Sequence, residues 1–155
     1  MKAVITATDI HQNETVAATA ERFKRMFNAM KSGNIGNLAE VYSQDAVFID
    51  PFGRVEGLDN LTRHFEKLYT NVISCEFEFG DLLVSENDAC IPWVMTLRHP
   101  KLRGGKPLTV DGISRLHIAQ GRVTEHRDYM DAGQMLYENL PVLGRVVRWV
   151  RDYAS

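Results

Sequence analysis

The repeat of apolar residues changes once along this chain, and the change separates a helical part from a sheet-forming part. Over residues 15–31, apolar side chains recur at spacings of three and four, which is typical of one buried helix face. After residue 72 they alternate with polar side chains, which is typical of strands with one buried face. Helices followed by a run of strands predict an α+β fold, in which the helices cover an antiparallel sheet.

The helical part contains two predicted amphipathic helices. The first covers 15–31, and the second runs from Leu58 to about Asn71. Between them we expect a helical turn over 35–42, a short strand over 46–50, and a loop bracketed by Gly53 and Gly57. The apolar stripes of the two helices consist of Val16, Ala20, Phe23, Phe27 and Met30, and of Leu58, Leu61, Phe65 and Leu68.

Four strands and a helical tail make up the rest of the prediction. The strands cover residues 74–79, 91–97, 106–119 and 122–131, and helices follow over 133–139 and 142–153 with a break at Pro141. A strongly curved sheet whose open side is covered by the early helices would form a cone around a pocket. We therefore predict one domain over 14–131, preceded by a loose segment over 1–13 and extended by C-terminal helices over 132–155.

Composition excludes several classes of protein. The 155 residues carry a net charge of −2, which does not suit a nucleic-acid binder that depends on a concentrated basic surface. Two cysteines are too few for a disulfide framework or a cysteine-based metal site. No apolar run reaches the length of a membrane span, and the first residues lack a signal-peptide core. We expect a soluble, cytoplasmic protein.

The strand over 106–119 predicts which of its side chains face the pocket. One face is apolar or small and should point inward; its members are Leu108, Val110, Gly112, Ser114, Leu116 and Ile118. The opposite face is mostly polar, so Asp111 should lie outside the pocket. Periodicity does not decide the inward face of 122–131, because both of its faces carry charged side chains, and the strand over 46–50 is ambiguous in the same way.

These two ambiguous strands carry a resemblance to a known family. The segments Phe48-Ile49-Asp50-Pro51-Phe52-Gly53 with Gly57, and Gly121-Arg122-Val123-x-x-His126-Arg127-Asp128-Tyr129-x-Asp131, resemble the SnoaL-like families of the nuclear transport factor 2-like superfamily. That resemblance implies a cone-shaped α+β fold over 14–131. It also implies that His126, Asp128 and Met130 point inward, with Asp50 and Phe48 on the pocket wall.

Three enzyme families of this superfamily imply different site residues. The general base of ketosteroid isomerases matches Asp50, but Met26 and Gly112 stand where that family has its oxyanion-hole tyrosine and second acid. Limonene epoxide hydrolases match at Asp128 only. The acid/base aspartate of SnoaL-like polyketide cyclases also matches Asp128. The resemblance therefore implies a cofactor-free enzyme that moves protons on an apolar, oxygen-bearing small molecule by isomerisation, cyclisation, dehydration or hydration.

In that interpretation Asp128 is the principal acid/base, His126 its neighbour and Asp50 a second carboxylate. Each residue also has a structural interpretation: Asp50 can form a turn, Asp128 can pair with Arg115 or Arg127, and His126 can be hydrogen-bonded at a cavity rim. The predicted pocket lining consists of Met26, Met30, Phe48, Phe77, Phe79, Trp93, Met95, Val110, Gly112, Ser114 and Met130. We predict no metal and no cofactor. A non-catalytic ligand-binding or dimerisation domain of the same fold is the alternative.

Two surfaces suggest contacts outside the pocket. The outer sheet face brings Ile113, Val123 and Tyr129 among charged side chains, which predicts a homodimer. The C-terminal segment is a basic amphipathic helix. It could pack on its own domain, act as a lid, contact a second subunit or lie on a membrane surface, and packing is the commonest of these outcomes.

Overall fold

The computed structural model describes residues 7–139 and 143–154. In this part of the chain four α-helices accompany a single seven-stranded sheet. The helices are α1 (Ala7–Ala29), α2 (Leu58–Tyr69), α3 (Ala132–Met135) and α4 (Leu143–Ala154). The strands are β1 (Tyr42–Asp50), β2 (Gly53–Glu56), β3 (Ser74–Phe79), β4 (Leu83–Ser85), β5 (Asp88–Arg98), β6 (Leu108–Ala119) and β7 (Arg122–Met130). None of the described helices is long and apolar enough to cross a membrane.

The sheet is mixed, with the strand order β2-β1-β7-β6-β5-β3 and with β4 paired to β5. The expected antiparallel arrangement is correct for β3 to β7 and wrong for β1, which runs parallel to β7. The chain leaves the β1–β2 hairpin through α2 and enters the sheet again at its far edge with β3. Successive antiparallel strands then return to β1, so the first and last strands become neighbours that run in the same direction.

Several boundaries differ from the sequence prediction. The segment over 53–57 is mostly strand, β4 was not predicted, and β1 begins at Tyr42 rather than at residue 46. Helix α1 begins at Ala7, so the expected loose segment is wrong over 7–13. A helix that is anchored by a packed face can extend beyond it, because each further residue adds a hydrogen bond without a new nucleus. Residues 1–6, and the break at Pro141 with the helix start at Val142, lie outside the described residues.

Helices α1 and α2 bury their apolar stripes against the concave face of the sheet. All five predicted stripe residues of α1 are buried. On α2, Leu58, Leu61 and Phe65 are buried as expected, but Tyr69 occupies the last core position, and Leu68 is 46% exposed. Gly57 precedes α2 with φ 84°, a left-handed conformation that glycine adopts without strain.

Strand β6 has the predicted orientation. Its inward residues are buried or half-buried, and Asp111 is exposed, which confirms that this carboxylate lies outside the pocket. In β7, His126 is buried while Arg127 and Tyr129 are exposed. The two faces exchange at Thr124, because a bulge places both Val123 and His126 on the inner face. Val123 is fully buried, so its expected place on the outer sheet face is wrong.

Candidate active site

A cavity of about 430 Å³ opens into the concave side of the sheet, a volume suited to a small organic molecule. Its wall is largely aromatic and aliphatic, with a few polar side chains. The wall residues are Phe27, Phe48, Asp50, Phe52, Phe65, Leu68, Tyr69, Val72, Cys75, Phe77, Trp93, Met95, Leu97, His99, Lys101, Leu102, Asp128, Met130, Met135 and Leu136.

The cavity includes some of the predicted lining residues and leaves out others. Phe48, Phe77, Trp93, Met95 and Met130 are in its wall. The other predicted lining residues lie behind the wall or beside it, because bulky aromatic rings form much of the cavity surface. These residues are Met26, half-buried beside the core; Met30, which lines a separate cleft; Phe79, stacked on Phe77; and Val110, Gly112 and Ser114.

Asp128 is the wall residue whose carboxylate is hydrogen-bonded to two other side chains. The register of β6 and β7 places it directly opposite Ser114, whose hydroxyl donates to Asp128 Oδ1 at 2.5 Å. The same oxygen lies 2.7 Å from Nε2 of His126, two residues earlier on the same face. No arginine pairs with Asp128 among the described ion pairs, and the expected alternative partner Arg115 pairs with Asp88 instead. The Oδ2 atom therefore remains available to a molecule in the cavity.

Trp93 joins this arrangement because Gly112 leaves room for its ring. The two residues are register partners in β5 and β6, and a Cβ atom on Gly112 would lie 2.2 Å from the indole. With no side chain in the way, the indole crosses the strand, and its Nε1–H donates to Ser114 Oγ at 2.9 Å. Trp93 thus orients the hydroxyl that in turn donates to Asp128.

Tyr42 approaches the other side of the histidine. It is the first residue of β1, and the parallel pairing with β7 brings its hydroxyl within 2.8 Å of His126 Nδ1. Both side chains are fully buried. Burial, followed by the nearby charge of Asp128, raises the pKa of Tyr42 well above its ordinary value, so the phenol keeps its proton.

Two chains of hydrogen bonds therefore converge on one carboxylate oxygen. On one side Trp93 donates to Ser114, which donates to Asp128. On the other side the Tyr42 hydroxyl is hydrogen-bonded to His126 Nδ1, and His126 Nε2 is hydrogen-bonded to Asp128. Since the phenol keeps its proton, we infer that it donates to Nδ1 and that the imidazole proton lies on Nε2, facing Asp128. A neutral imidazole satisfies all of these partners at once. This arrangement fixes the carboxylate and supplies it with two donors at the wall of an apolar cavity.

Asp50 also lies in the cavity wall, and its carboxylate in addition holds a backbone turn. Its Oδ1 accepts hydrogen bonds from the backbone N–H groups of Phe52 and Gly53, at 2.8 and 2.9 Å. These bonds hold the turn between β1 and β2, as the structural interpretation of an aspartate before proline predicts. The structure thus brings both aspartates and Phe48 to one cavity, with His126 behind Asp128.

Other titratable groups near the cavity are less suited to chemistry. Burial raises the pKa of the Cys75 thiol to about 11, so the thiol stays protonated at neutral pH. Burial also lowers the pKa of His64, an effect that the charge of Asp50 partly opposes. His64 Nε2 is buried without a hydrogen-bond partner in the described structure. Three or more potential metal-ligating side chains do not come together among the described residues, and the absence of a metal stays a prediction.

Sequence reasoning did not identify Tyr42 or the role of Trp93. The pattern over 35–42 predicts Tyr42 at the end of a helical turn, although Tyr42, Ala46 and Phe48 are all at even positions, the spacing of one strand face. The signal for Trp93 was Gly112, the one residue without a side chain on the inner face of β6. A glycine inside a strand often marks the close approach of another group.

Comparison with known proteins identifies the family of this chain. The model of the SnoaL-like domain matches residues 23–126. A candidate SnoaL-like polyketide cyclase from Jannaschia sp. CCS1 is 18% identical, with a TM-score of 0.65 over 77% of this chain and 88% of its own. A protein with a ketosteroid isomerase-like fold from Catenulispora acidiphila, solved with trimethylamine, is 13% identical, with a TM-score of 0.67 over 79% and 93%.

A third structure, TerC co-crystallised with polyporic acid, is 14% identical, with a TM-score of 0.63 over 76% of this chain and 92% of its own. The search of curated proteins finds no match. At these identities the structures show a shared cone-shaped α+β fold and leave the reaction open. The family model covers about two thirds of the sequence, and the chain belongs to the SnoaL-like family.

Proposed function

We propose that this protein is an enzyme that transfers protons on a small, apolar, oxygen-bearing molecule, with Asp128 as its acid/base residue. The observation that carries the proposal is the contrast between the two sides of the Asp128 carboxylate. Its Oδ1 receives the Ser114 hydroxyl and His126 Nε2, while the residue borders an apolar cavity. A fixed carboxylate in such surroundings is the arrangement that general acid/base catalysis requires.

In the proposed step one proton moves from the substrate to Asp128 and then returns to the substrate. Oδ2 of Asp128 removes a proton from a carbon or hydroxyl group of the bound molecule, and the bonding pair stays on the substrate as an enolate or alkoxide. The protonated carboxyl group then returns the proton to a different atom. His126 and Ser114 hold Oδ1 throughout, so the carboxylate keeps its orientation while its charge changes. Isomerisation, aldol-type cyclisation, dehydration and hydration all contain such a step.

The cavity wall supports an apolar substrate with few polar groups. Phe48, Phe77 and Trp93 offer ring faces and edges, and Lys101 and His99 are basic side chains of the wall. A carbonyl or hydroxyl oxygen would provide the polar group on which Asp128 acts. The co-crystallisation of TerC with polyporic acid is consistent with small organic ligands in this fold.

Asp50 is proposed as a second carboxylate of the site, with a smaller share in the chemistry. The turn engages its Oδ1, so only Oδ2 remains for a ligand. We assign it to orienting the substrate. Asp50→Asn, which keeps the acceptor for the two backbone N–H groups, should reduce turnover less than the equivalent change at Asp128.

The test begins with native mass spectrometry of the purified protein, which detects a small molecule that is retained by the cavity. That molecule is then incubated with the protein in D2O. The wild type should incorporate deuterium at a carbon position or convert the molecule, and Asp128→Asn should lower this rate on the order of 10²–10⁴-fold. Asp111→Asn, an exposed aspartate on the outer face of β6, is the matched control and should keep full activity.

Retained turnover in Asp128→Asn would contradict the assignment. A molecule that the wild type binds without exchange or conversion would instead support the alternative, a ligand-binding domain of the same fold.

We also infer that two copies pair through the outer sheet face. Ile113 and Tyr129 are register partners there and are 43% and 50% exposed, with the Arg127 guanidinium 5.0 Å from the Tyr129 ring. Apolar side chains surrounded by charge are typical of self-complementary interfaces. Sedimentation equilibrium should give twice the chain mass of 17.6 kDa, and charge reversal at Arg115 and Arg127 should shift it toward monomer. A monomer in the wild type would contradict this inference.

A further inference from the structure

Helix α4 separates apolar and basic side chains onto two sides. At 3.6 residues per turn its arginines fall on one side of the helix axis, and the aliphatic and aromatic residues fall on the other. The basic side holds Arg145, Arg148 and Arg151. The opposite side holds Leu143, Val146, Val147, Trp149, Val150 and Tyr153.

The apolar side of α4 is open to solvent in the described structure. Val146 and Val150 are about half exposed, at 51% and 50%, and Trp149 and Tyr153 are 66% and 83% exposed. The rings of Trp149 and Tyr153 stack on each other with centroids 5.8 Å apart. Gly144 is the only buried residue among those described in α4. An amphipathic helix that packed on its own domain would bury this face, so the expected packing on the domain is not what the structure shows.

The charge of α4 indicates which kind of surface could cover its apolar side. Three arginines against one aspartate, Asp152, give α4 a positive balance, although the whole chain has a net charge of −2. The three arginines form one continuous basic side of the helix, and Arg151 Nε also lies 3.7 Å from the Asp152 carboxylate. Arginine on the polar side, aliphatic residues on the other, and aromatic rings beside them are typical of helices that lie in a membrane interface.

We propose that α4 docks this protein on an anionic lipid bilayer surface. The apolar side would enter the boundary between headgroups and acyl chains, and the arginines would contact the anionic headgroups. A helix of 12 residues is about 18 Å long and about 10 Å wide, so one side of it presents on the order of 300 Å². This is well below the roughly 800 Å² per partner of a standard protein interface. A second copy of the chain is therefore the less suitable partner.

The position of α4 connects this surface to the cavity. Met135 and Leu136, at the end of α3, belong to the cavity wall, and the next turn, Tyr137–Asn139, is the main neighbour of α4. The ring of Tyr137 also contacts Phe52, another wall residue. Docking through α4 would hold this part of the wall near the bilayer, from which an apolar molecule can enter without crossing water. The docking itself does not depend on the proposed reaction.

The experiment is co-sedimentation of the full chain with vesicles of phosphatidylcholine mixed with phosphatidylglycerol, and with vesicles of phosphatidylcholine alone. We expect binding to the mixed vesicles and much weaker binding to phosphatidylcholine. Arg148→Gln should weaken binding about five-fold, as expected for one basic side chain near an anionic surface. Val150→Glu should abolish binding. Leu83→Glu, a matched change at a 65% exposed apolar residue on β4, should leave binding unchanged.

Fluorescence gives a second measurement, because Trp149 is exposed while Trp93 is 5% exposed. The emission of the wild type should shift to shorter wavelength when the mixed vesicles are added, and Trp149→Phe should remove this shift. Any of three outcomes would overturn the proposal. The first is that the wild type binds neither vesicle, and the second is that it binds both equally and Arg148→Gln has no effect. The third is that Val150→Glu loses a protein dimer while the wild type does not bind vesicles. The last would show α4 to be a contact between copies.

Discussion

Two histidine–aspartate pairs lie on opposite faces of the same sheet. His126 Nε2 is 2.7 Å from Asp128 on the inner face, and His117 Nδ1 is 2.7 Å from Asp88 on the outer face. The side chains of the inner pair are 1% and 16% exposed, and those of the outer pair are 45% and 32% exposed. The distances are equal, so the difference between the pairs lies in their surroundings.

The surroundings determine what each pair can do. In the single chain water screens the charges of the outer pair, and Asp88 accepts a further hydrogen bond from Arg115 at 2.9 Å. On the inner face the rings of Phe23 and Phe48 lie 4.9 Å from the His126 ring, and the aspartate borders a cavity without an arginine partner. The two pairs have the same distance, and only the inner one has a carboxylate that borders an apolar cavity, which is why the inner pair is the candidate site.

Replacing the histidine of each pair should give the largest contrast between the faces. His126→Gln should lower turnover on the order of 10²-fold, because Asp128 loses its aligned donor. It should also destabilise the fold by about 1–3 kcal/mol, since it disturbs two buried hydrogen bonds. His117→Gln should keep turnover and change stability by less than about 0.5 kcal/mol. Thermal unfolding and turnover of the two variants, measured side by side, check this, and equal effects would contradict the comparison.

A substitution at Gly112 should disturb the inner face without touching either pair directly. The Cβ of Gly112→Ala would lie 2.2 Å from the Trp93 ring, so the indole must move and release Ser114. We expect a loss of about 1–3 kcal/mol in the free energy of unfolding, as for other overpacked cores. Near-ultraviolet circular dichroism should report the displaced Trp93. Gly53→Ala, where an added Cβ meets nothing within 4 Å, is the control. An unchanged Trp93 signal in Gly112→Ala would refute the close approach.

Tyr42→Phe tests whether the phenol determines the tautomer of His126. The variant removes the donor to Nδ1 and leaves this buried nitrogen without its partner, at a cost of about 1–2 kcal/mol. Nitrogen-15 NMR of the His126 ring should show Nε2–H as the dominant tautomer in the wild type and a changed Nδ1 signal in the variant. Tyr137→Phe, at an exposed tyrosine, should leave the His126 spectrum unchanged. A wild-type ring with its proton on Nδ1 would contradict this role of Tyr42.

The smallest effect is expected at the outer pair. Burial alone would raise the pKa of Asp88, but hydrogen bonds from Arg115 and His117 outweigh it and lower that pKa below 3.8. The unfolded chain therefore binds this proton at a higher pH than the folded chain does. The resulting stability is present above pH 3.8 and is lost as the pH falls through the folded-state pKa. Asp88→Asn should lower the free energy of unfolding by at most about 1 kcal/mol at pH 7. This difference between the variant and the wild type should become smaller as the pH falls. A urea-unfolding series over pH would reveal a constant difference if the interpretation is wrong.

Much of this architecture could be predicted, because burial repeats with the period of each element. The stripe of α1 and the inward face of β6 follow directly from that rule. The orientation of β7 was ambiguous, since both of its faces carry charge and a bulge at Thr124 exchanges them. Periodicity describes each strand separately, whereas a bulge depends on the neighbouring strand.

The site was only partly predictable for a related reason. Asp128, His126 and Asp50 were candidates from the resemblance, and the structure brings all three to the cavity or directly behind it. Tyr42 reaches His126 only because β1 pairs with β7, a contact between positions 84 residues apart. Local sequence patterns contain no information on such a pairing.

The parallel contact of β1 with β7 also has a consequence for how the protein matures. In the strand order, β1 lies between β2 and β7, so this edge of β1 can pair only after the last strand has been synthesised. Contacts of such long sequence separation form slowly, and an unpaired strand edge attracts other chains in the meantime. The contact between Tyr42 and His126 and the protection of this strand edge should therefore form in the same late folding step.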